Sequence, residues 1–340
     1  MKPSILTVQS LGFMWPVSNP FIFCAHHLDY YPPGKPDLSP KASLQGRNIG
    51  NDFTINEGWR MYHGDSVPGF PVHPHRGFET VTIVQQGFVD HSDSHGQAGR
   101  YGEGDVQWMT AGSGLQHCEM FPLLNQDKGN TTELFQVWLN LPKERKMCPP
   151  YFKMFWSEDI PLYKHTDDTG KSVEVNVIAG NLHGVQALKP SPDSWAAFPE
   201  NEVSIWAIKM EAGATWTLPV AGPLASRKIY FHRGSSIVLD GTEVKVGNAI
   251  TVDPEAALTI ESKDSANFIL LLQGNPINEP VVQYGPFVMN TQEEIRQAIN
   301  DYQQTEFGGW PWAKKDQTHG LERGRFASHS DGSEEDKSVL

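Results

Sequence analysis

The sequence predicts an all-β fold with two domains in tandem. Glycine and proline together number 31 + 25 = 56 of the 340 residues, and they separate short runs rich in Val, Ile, Thr, Phe and Trp. Short strands divided by frequent turn residues are typical of β-sandwiches and β-barrels. The chain is also long enough for two domains of ordinary size, each with its own core.

Apolar runs mark the strands of the first half. Residues 80–89 read TVTIVQQGFV, and residues 134–141 read LFQVWLNL. In the second run, alternate residues from Phe135 to Leu141 are apolar, which places them on one face of a strand. Both runs therefore predict strands with a buried side.

A proline-flanked segment, KERKMCPP at residues 143–150, interrupts this β pattern, and a new series of strands follows it. We place a domain boundary there, with a first domain at residues 1–147 and a second at 148–314. Residues 315–340 form a polar tail that carries too little apolar surface to offset the entropy of ordering. The sequence therefore predicts a disordered tail.

A hairpin and two further strands are predicted in the second half. Residues 236–246, SIVLDGTEVKV, consist of two alternating runs joined by Asp240-Gly241, a pair that suits a type I′ turn. ALTIES at 257–262 and NFILLLQG at 267–274 supply the further strands.

One helix is predicted near the C-terminal end of this β pattern. Thr291 and Glu294 have the spacing of a capping box. Four apolar residues from Ile295 to Tyr302 follow at helical spacing before Gly308 ends the pattern. A helix is therefore expected between Thr291 and Gly308.

Composition argues against several classes of ligand and compartment. Acidic residues exceed basic ones by 40 − 27 = 13 and no run of Lys or Arg occurs, so we expect neither nucleic acid nor anionic membrane as a direct ligand. No run approaches the roughly 18 apolar residues of a membrane helix, and no signal peptide is apparent. Cys24, Cys118 and Cys148 show no metal or disulfide spacing. We expect a soluble cytoplasmic protein, with the nucleus as the alternative in a eukaryotic cell.

Histidine and glutamate recur two residues apart in two predicted strands. His73 and His75 project from one face, since alternate residues of a strand point the same way, and His117 and Glu119 repeat the arrangement. If the two strands face each other, they form a four-ligand site for a divalent metal. The alternative is a set of hydrogen-bonded core or surface residues, but burying several imidazoles and a carboxylate without a metal is costly. Imidazole suits iron, nickel, copper and zinc alike.

These stretches also resemble a known family. HPHRGFETVTIV, HSDSHG and GDVQWMTAGSGLQHCEM resemble the signature of the pirin family, a branch of the cupin superfamily, and FVMNTQEEIRQAINDYQ is similar to its C-terminal segment. The matches span about residues 55–305. The resemblance implies a bicupin, two antiparallel β-barrels in tandem with few helices. It also implies a metal site of His-x-His plus His-x-Glu, which falls on His73, His75, His117 and Glu119.

The resemblance implies a function as well. Some pirins behave as flavonol 2,3-dioxygenases, which suggests Fe(II) as the metal, quercetin-type flavonols and dioxygen as substrates, and Glu119 as the proton acceptor for the flavonol hydroxyl. The alternative is an iron-dependent redox sensor or co-regulator that acts through a protein partner. A third interpretation is a metal that only stabilises the fold.

Other polar residues are weaker candidates. If the first strand stays regular, Glu79 continues the face of the two histidines, where other cupins often carry a glutamate ligand. We expect it to act as a supporting group, a strand-pairing residue or a substitute ligand. Cys118 should face the core, and His91 and His95 should form local hydrogen bonds or support the ligands. The second domain has three isolated histidines, and we expect no metal there.

Overall fold

The computed structural model describes residues 3–337, which form 26 strands, one α-helix and four short 3-10 helices. The strands are β1 (Ile5–Ser10), β2 (Phe21–Tyr31), β3 (Gly69–His75), β4 (Phe78–Gln86), β5 (Phe88–Asp93), β6 (Ala98–Gly102), β7 (Val106–Thr110), β8 (Leu115–Met120), β9 (Asn130–Asn140), β10 (Tyr151–Phe155), β11 (Leu162–Thr166), β12 (Ser172–Ala179), β13 (Asn181–Leu182), β14 (Val185–Gln186), β15 (Ser204–Met210), β16 (Thr215–Leu218), β17 (Ser226–Arg233), β18 (Ser236–Leu239), β19 (Thr242–Lys245), β20 (Asn248–Val252), β21 (Leu258–Ser262), β22 (Asn267–Gly274), β23 (Val282–Tyr284), β24 (Phe287–Met289), β25 (Phe326–Ser328) and β26 (Glu334–Asp336). The helix α1 is Gln292–Thr305, and the 3-10 helices are Lys143–Arg145, Trp195–Ala197, Pro199–Asn201 and Glu306–Gly308. The all-β prediction with one C-terminal helix is confirmed.

The chain forms two compact units, each assembled from separate segments. One comprises the chain up to Ala25, Val137–Asn140 and Glu158–Asn278, and the other comprises His26–Gln136, Leu141–Ser157 and the chain from Glu279 onward. We call the second the histidine-rich unit, because it holds ten of the 13 histidines, and the first the histidine-poor unit. This division differs from a single boundary near residues 143–150. Local patterns do not show which distant strands pair, and β1 pairs with β20.

The histidine-poor unit encloses an apolar interior between two sheets. Its seven-stranded sheet has the order β1-β20-β17-β22-β15-β12-β11, and its four-stranded sheet has the order β16-β21-β18-β19. One cluster of apolar side chains, including Trp206, Ile229 and Leu271, fills the interior. The predicted hairpin is confirmed, since Asp240 (φ 44°) and Gly241 (φ 81°) both have the positive φ of a type I′ turn between β18 and β19.

The histidine-rich unit also contains two main sheets. A six-stranded sheet has the order β26-β25-β6-β5-β8-β3, and a five-stranded sheet has the order β10-β7-β4-β9-β2, in which β2 and β9 contain residues of both units. The apolar run at 80–89 becomes two strands, because the chain turns at Gly87 (φ 74°) between β4 and β5. An apolar cluster that includes Tyr62, Tyr101 and Phe152 lies in this unit.

The predicted capping box of α1 is present. The Thr291 side chain accepts from the Glu294 backbone N–H, and the Glu294 carboxylate accepts from the Thr291 backbone N–H. The helix ends when Glu306 adopts a left-handed conformation (φ 47°), two residues before the predicted stop at Gly308. No helix among residues 3–337 combines the length and the apolar character that crossing a bilayer requires.

The predicted disordered tail is the clearest difference between sequence and structure. Within its described part, residues 315–337, strands β25 and β26 extend the six-stranded sheet, and residues 338–340 lie outside the described residues. Arg100, fully buried on β6, donates to the carbonyls of His319, Gly320 and Arg323. The polar composition of the segment did not show these long-range contacts, which its backbone carbonyls make with Arg100 and to which its buried apolar residues Phe326 and Ala327 add.

Candidate metal centre

Two adjacent strands bring three predicted ligands together. β3 carries His73 and His75, β8 carries His117, and the antiparallel pairing sets His73 directly opposite His117. The ring centroids are 4.8 Å apart for His73 and His75, 4.5 Å for His73 and His117, and 5.0 Å for His75 and His117. One ring nitrogen from each lies within 4.8 Å of the others. This spacing allows one ion to contact all three residues.

The position of β3 explains how its sequence is tolerated. β3 is an edge strand of the six-stranded sheet, so Pro74, which has no N–H to donate, interrupts no central ladder. The strand ends at His75, and the chain turns at Gly77 (φ 87°) before β4. The expectation that Glu79 continues the histidine face is therefore wrong, because Glu79 lies beyond this turn on a strand of the other sheet.

Hydrogen bonds fix the form of two imidazoles. His73 Nδ1 lies 2.9 Å from the carbonyl oxygen of Pro71, and His75 Nδ1 lies 3.4 Å from that of Pro286. A carbonyl oxygen only accepts, so Nδ1 carries the proton in each ring, and Nε2 keeps the lone pair that a metal requires.

Burial keeps all three imidazoles uncharged. It lowers the pKa of His73 to about 4, against the opposing effect of the hydrogen bond to Pro71. It also places the pKa values of His75 and His117 well below the ordinary value, and the neighbouring histidines lower them further. Neutral imidazole is the form that ligates metals.

The surroundings of His117 show whether these residues are suited to a metal ion. Its side chain is fully buried, and neither ring nitrogen has a hydrogen-bond partner among the described residues. Buried polar atoms are nearly always paired, and an unpaired one costs free energy. A cation among the three rings would satisfy a nitrogen of His117, so the residues fit a metal ion.

Glu119 lies beside the three histidines. Its Oε2 is 3.8 Å from His117 Nε2 and accepts from Gln136 Nε2 at 2.7 Å, while its Oε1 accepts from Thr82 Oγ1 at 3.3 Å. Burial raises the pKa of this carboxyl, and these hydrogen bonds and the nearby His91 oppose the rise. The carboxylate is thus held by neutral donors next to the cluster.

Two neighbours of the site, Gln136 and Thr82, were not considered from the sequence, whereas His91 was expected to form local hydrogen bonds or to support the ligands. Gln136 and Thr82 hold the Glu119 carboxylate. His91 lies directly across from Glu119, and its ring centroid is 5.4 Å from that of His117. The sequence does distinguish Gln136, because it is the one polar residue between Leu134 and Trp138. His95 differs from His91, because its side chain is exposed.

Glu79 and Cys118 have other surroundings. The Glu79 carboxylate is fully buried and accepts from Trp108 Nε1 at 3.0 Å and Thr110 Oγ1 at 2.8 Å. This arrangement supports the strand-pairing role among the three that we considered. Cys118 packs in an apolar cluster, and burial raises the pKa of its thiol, which keeps it unreactive.

The turn after His75 is held by later parts of the chain. Lys146, almost fully buried, donates from Nζ to the carbonyls of Gly77 at 2.8 Å and Val288 at 3.1 Å. Arg76 pairs with Asp301 of α1, with Nη1 and Oδ2 2.7 Å apart. The histidine-bearing strand is therefore fixed at its end by groups from β24 and α1.

Two family profiles match this chain. The profile of the family described as Pirin matches residues 46–139, and that of the Pirin C-terminal cupin domain matches residues 205–308. The chain belongs to the pirin family. The first of these segments contains all four predicted ligands of this pirin.

Relatives of this pirin come from bacteria and plants. The protein named "Putative quercetin 2,3-dioxygenase" of Pseudomonas aeruginosa is 39% identical over 249 residues, which cover 70% of this chain and 79% of the relative. Pirin-1 of Arabidopsis thaliana is 37% identical, with 71% and 78% covered. The crystal structure of a quercetin 2,3-dioxygenase from Acinetobacter baumannii is 28% identical, with a TM-score of 0.70 and coverage of 90% of this chain and 98% of that one. The bicupin fold is thereby confirmed.

Proposed function

We propose that this pirin binds a divalent metal, Fe(II), through His73, His75, His117 and Glu119, and that it oxidises flavonols as a quercetin 2,3-dioxygenase. The observation that carries the proposal is the buried group of three neutral imidazoles, with ring nitrogens within 4.8 Å of one another. The preference for iron and for flavonols comes from the family. The names of the Acinetobacter and Pseudomonas relatives support the same reaction.

The roles of the protein groups follow from their contacts. Iron in this site would allow dioxygen and an organic substrate to meet and exchange electrons. His73 and His75 present Nε2 because their Nδ1 protons are engaged by backbone carbonyls. Glu119 is the proposed acceptor for the proton of the flavonol hydroxyl, since its buried carboxylate has a raised pKa and is a stronger base than an exposed one. Gln136 and Thr82 orient it.

The test is oxygen uptake with quercetin, using protein loaded with Fe(II) without air. We expect many turnovers per iron in the parent protein. His75→Ala and Glu119→Ala should each reduce the rate by at least a hundredfold, while binding of iron is measured in parallel. His95→Ala is the matched control, because His95 is an exposed histidine of the same unit, and its rate should equal that of the parent.

Two outcomes would contradict the proposal in different ways. If no iron binds, the ligand assignment is wrong. If one iron binds per chain but uptake does not exceed the metal-free blank, flavonol oxidation is wrong. The alternative of a redox sensor acting through a protein partner then becomes the better hypothesis, because a sensor changes state once per oxidation and does not turn over.

A further inference from the structure

One buried arginine differs from the others. Five arginines are buried among the described residues, and four of them form ion pairs with a carboxylate at 2.7 to 2.9 Å. The pairs are Arg60 with Asp29, Arg76 with Asp301, Arg100 with Asp90, and Arg325 with Asp105. The fifth is Arg227, on β17 of the histidine-poor unit, which is 2% exposed. Among residues 3–337, no carboxylate pairs with it at that distance.

Within the described part of the chain, only neutral acceptors hydrogen-bond to the Arg227 guanidinium. Its Nε donates to Gln273 Oε1 at 2.7 Å, and its Nη1 donates to the carbonyl oxygen of Pro219 at 2.6 Å. A guanidinium has five N–H bonds, so three remain without an acceptor in the described chain. Burial lowers the pKa of Arg227 to about 10, and the charge of Glu202 opposes the change. The group is therefore charged at neutral pH.

Strand register places this charge at one end of the barrel interior. Arg227 pairs with Gln273 on β22, and Gln273 pairs with Ser204 on β15, so the three side chains form a row across adjacent strands. Each is two residues from a core residue on the same face of its strand. Those core residues are Ile229, Leu271 and Trp206. The row of three polar side chains therefore lies beside the apolar interior, on the face of the sheet that points into the barrel.

A cavity of about 620 Å³ opens against this row. Arg227, Gln273 and Ser204 all line it, and Phe198 and Val220 contribute apolar wall. This volume lies within the range of small-molecule sites, which combine apolar walls with a few polar groups that fix orientation. Glu202 also lines the cavity, and its carboxylate disfavours ligands with more than one negative charge.

We propose that the histidine-poor barrel binds a small organic monocarboxylate, with the carboxylate on Arg227 and the apolar body against the cavity wall. A planar guanidinium matches a carboxylate in a two-point hydrogen-bonded pair. The ligand would supply the counter-ion that each of the other four buried arginines finds within the chain. Gln273 holds the guanidinium in place, since its Nε2 donates to the Glu202 carbonyl at 3.2 Å while its Oε1 accepts from Arg227.

The test uses benzoate as the probe, titrated calorimetrically into the metal-free full chain. We expect saturable binding of one benzoate per chain, and at least tenfold weaker binding of benzamide, which has the same shape without the charge. Arg227→Met should weaken benzoate binding at least tenfold. Lys228→Met is the matched control, because it removes a positive charge from the next residue, whose side chain points to the other face of the sheet, and its affinity should equal that of the parent.

Stability supplies an independent readout. Arg227→Met should unfold at the same temperature as the parent or higher, because it removes a buried charge without an ion-pair partner, and benzoate should raise the melting temperature of the parent alone. Benzoate binding that is absent, or that is equal in the parent and the folded Arg227→Met variant, would overturn the proposal. So would a large loss of stability in that variant, since it would assign Arg227 a purely structural role.

Discussion

The two units share a mainly β architecture but differ in the charged and polar groups that they bury. In the histidine-poor unit, a single cluster of 22 apolar residues occupies the interior. In the histidine-rich unit, neighbouring strands β5 and β8 bury Asp90, His91, His117 and Glu119. Burying polar groups costs free energy unless they are paired. Both units contain buried apolar clusters. The histidine-rich unit depends in addition on ion pairs and hydrogen bonds between buried polar groups, and on the proposed metal.

Replacing one buried arginine by methionine in each unit is expected to give the largest difference in stability. Arg100→Met should lower the free energy of unfolding by about 3–5 kcal/mol, because it leaves Asp90 buried without its cation and removes the donors to residues 319–323. Arg227→Met should cost nothing, since no carboxylate is left behind. Denaturant unfolding measures both. Equal losses of unfolding free energy in the two variants would show that the two buried arginines contribute to stability in the same way.

Metal should stabilise one unit and leave the other unchanged. With free divalent metal at a hundred times its dissociation constant, the histidine-rich unit should gain about 2.7 kcal/mol by mass action. Hydrogen exchange resolves the two units, and slower exchange is expected in β3 and β8 but not in β17 and β22. His75→Ala should abolish the gain. Protection that appears in both units, or only in the histidine-poor one, would contradict the proposed site.

Acid should weaken the histidine-rich unit of the metal-free protein first. Burial, with Arg60 and His26 nearby, lowers the pKa of His27 to about 3, so the unfolded chain takes up the proton more readily. The stability from this residue is complete above about pH 6.5 and is lost as the pH falls towards 3, by about 2 kcal/mol at pH 5. Unfolding measured against pH should show this slope, and His27→Gln should reduce it.

The control for acid weakening comes from the other unit. His183 is exposed and has a left-handed backbone (φ 49°), which Asn tolerates. His183→Asn should leave the slope of stability against pH unchanged. A slope that depends on His183 rather than His27 would show that the histidine-poor unit is the acid-sensitive one.

The smallest expected effect concerns the cap of α1. Thr291→Ala should destabilise the histidine-rich unit by about 1 kcal/mol, because it removes the acceptor for the Glu294 N–H. Thr291→Ser keeps the hydroxyl and should restore most of the loss. Thermal unfolding of both variants checks this. An unchanged melting temperature for Thr291→Ala would show that this cap adds nothing to the stability of the unit.

Local sequence patterns predicted individual strands, turns and the helix. Contacts between distant residues determined the surroundings of the site and the order of the C-terminal segment. The capping box at Thr291 and the turn at Asp240-Gly241 depend on a few adjacent residues, so the sequence shows them directly. That His73 and His117 lie close together was predicted on two grounds. Alternate residues of a strand point the same way, so the ligands of each strand share a face, and the family resemblance implied that the two strands meet. Gln136 escaped notice because its partner Glu119 lies on a strand of the other sheet. The ordering of residues 315–337 depends on Arg100, more than two hundred residues earlier.

The position of Arg100 sets an order of events during synthesis. Asp90 precedes Arg100 by ten residues, but the carbonyl of His319 follows it by 219. At the usual rate of about 5–20 residues per second, roughly 10 to 45 seconds separate these two partners on the ribosome. During that interval the β6 edge that β25 later covers stays open, and open edges invite pairing with other chains. The histidine-bearing sheet is thus completed late, after the barrel that carries Arg227 has been translated in full.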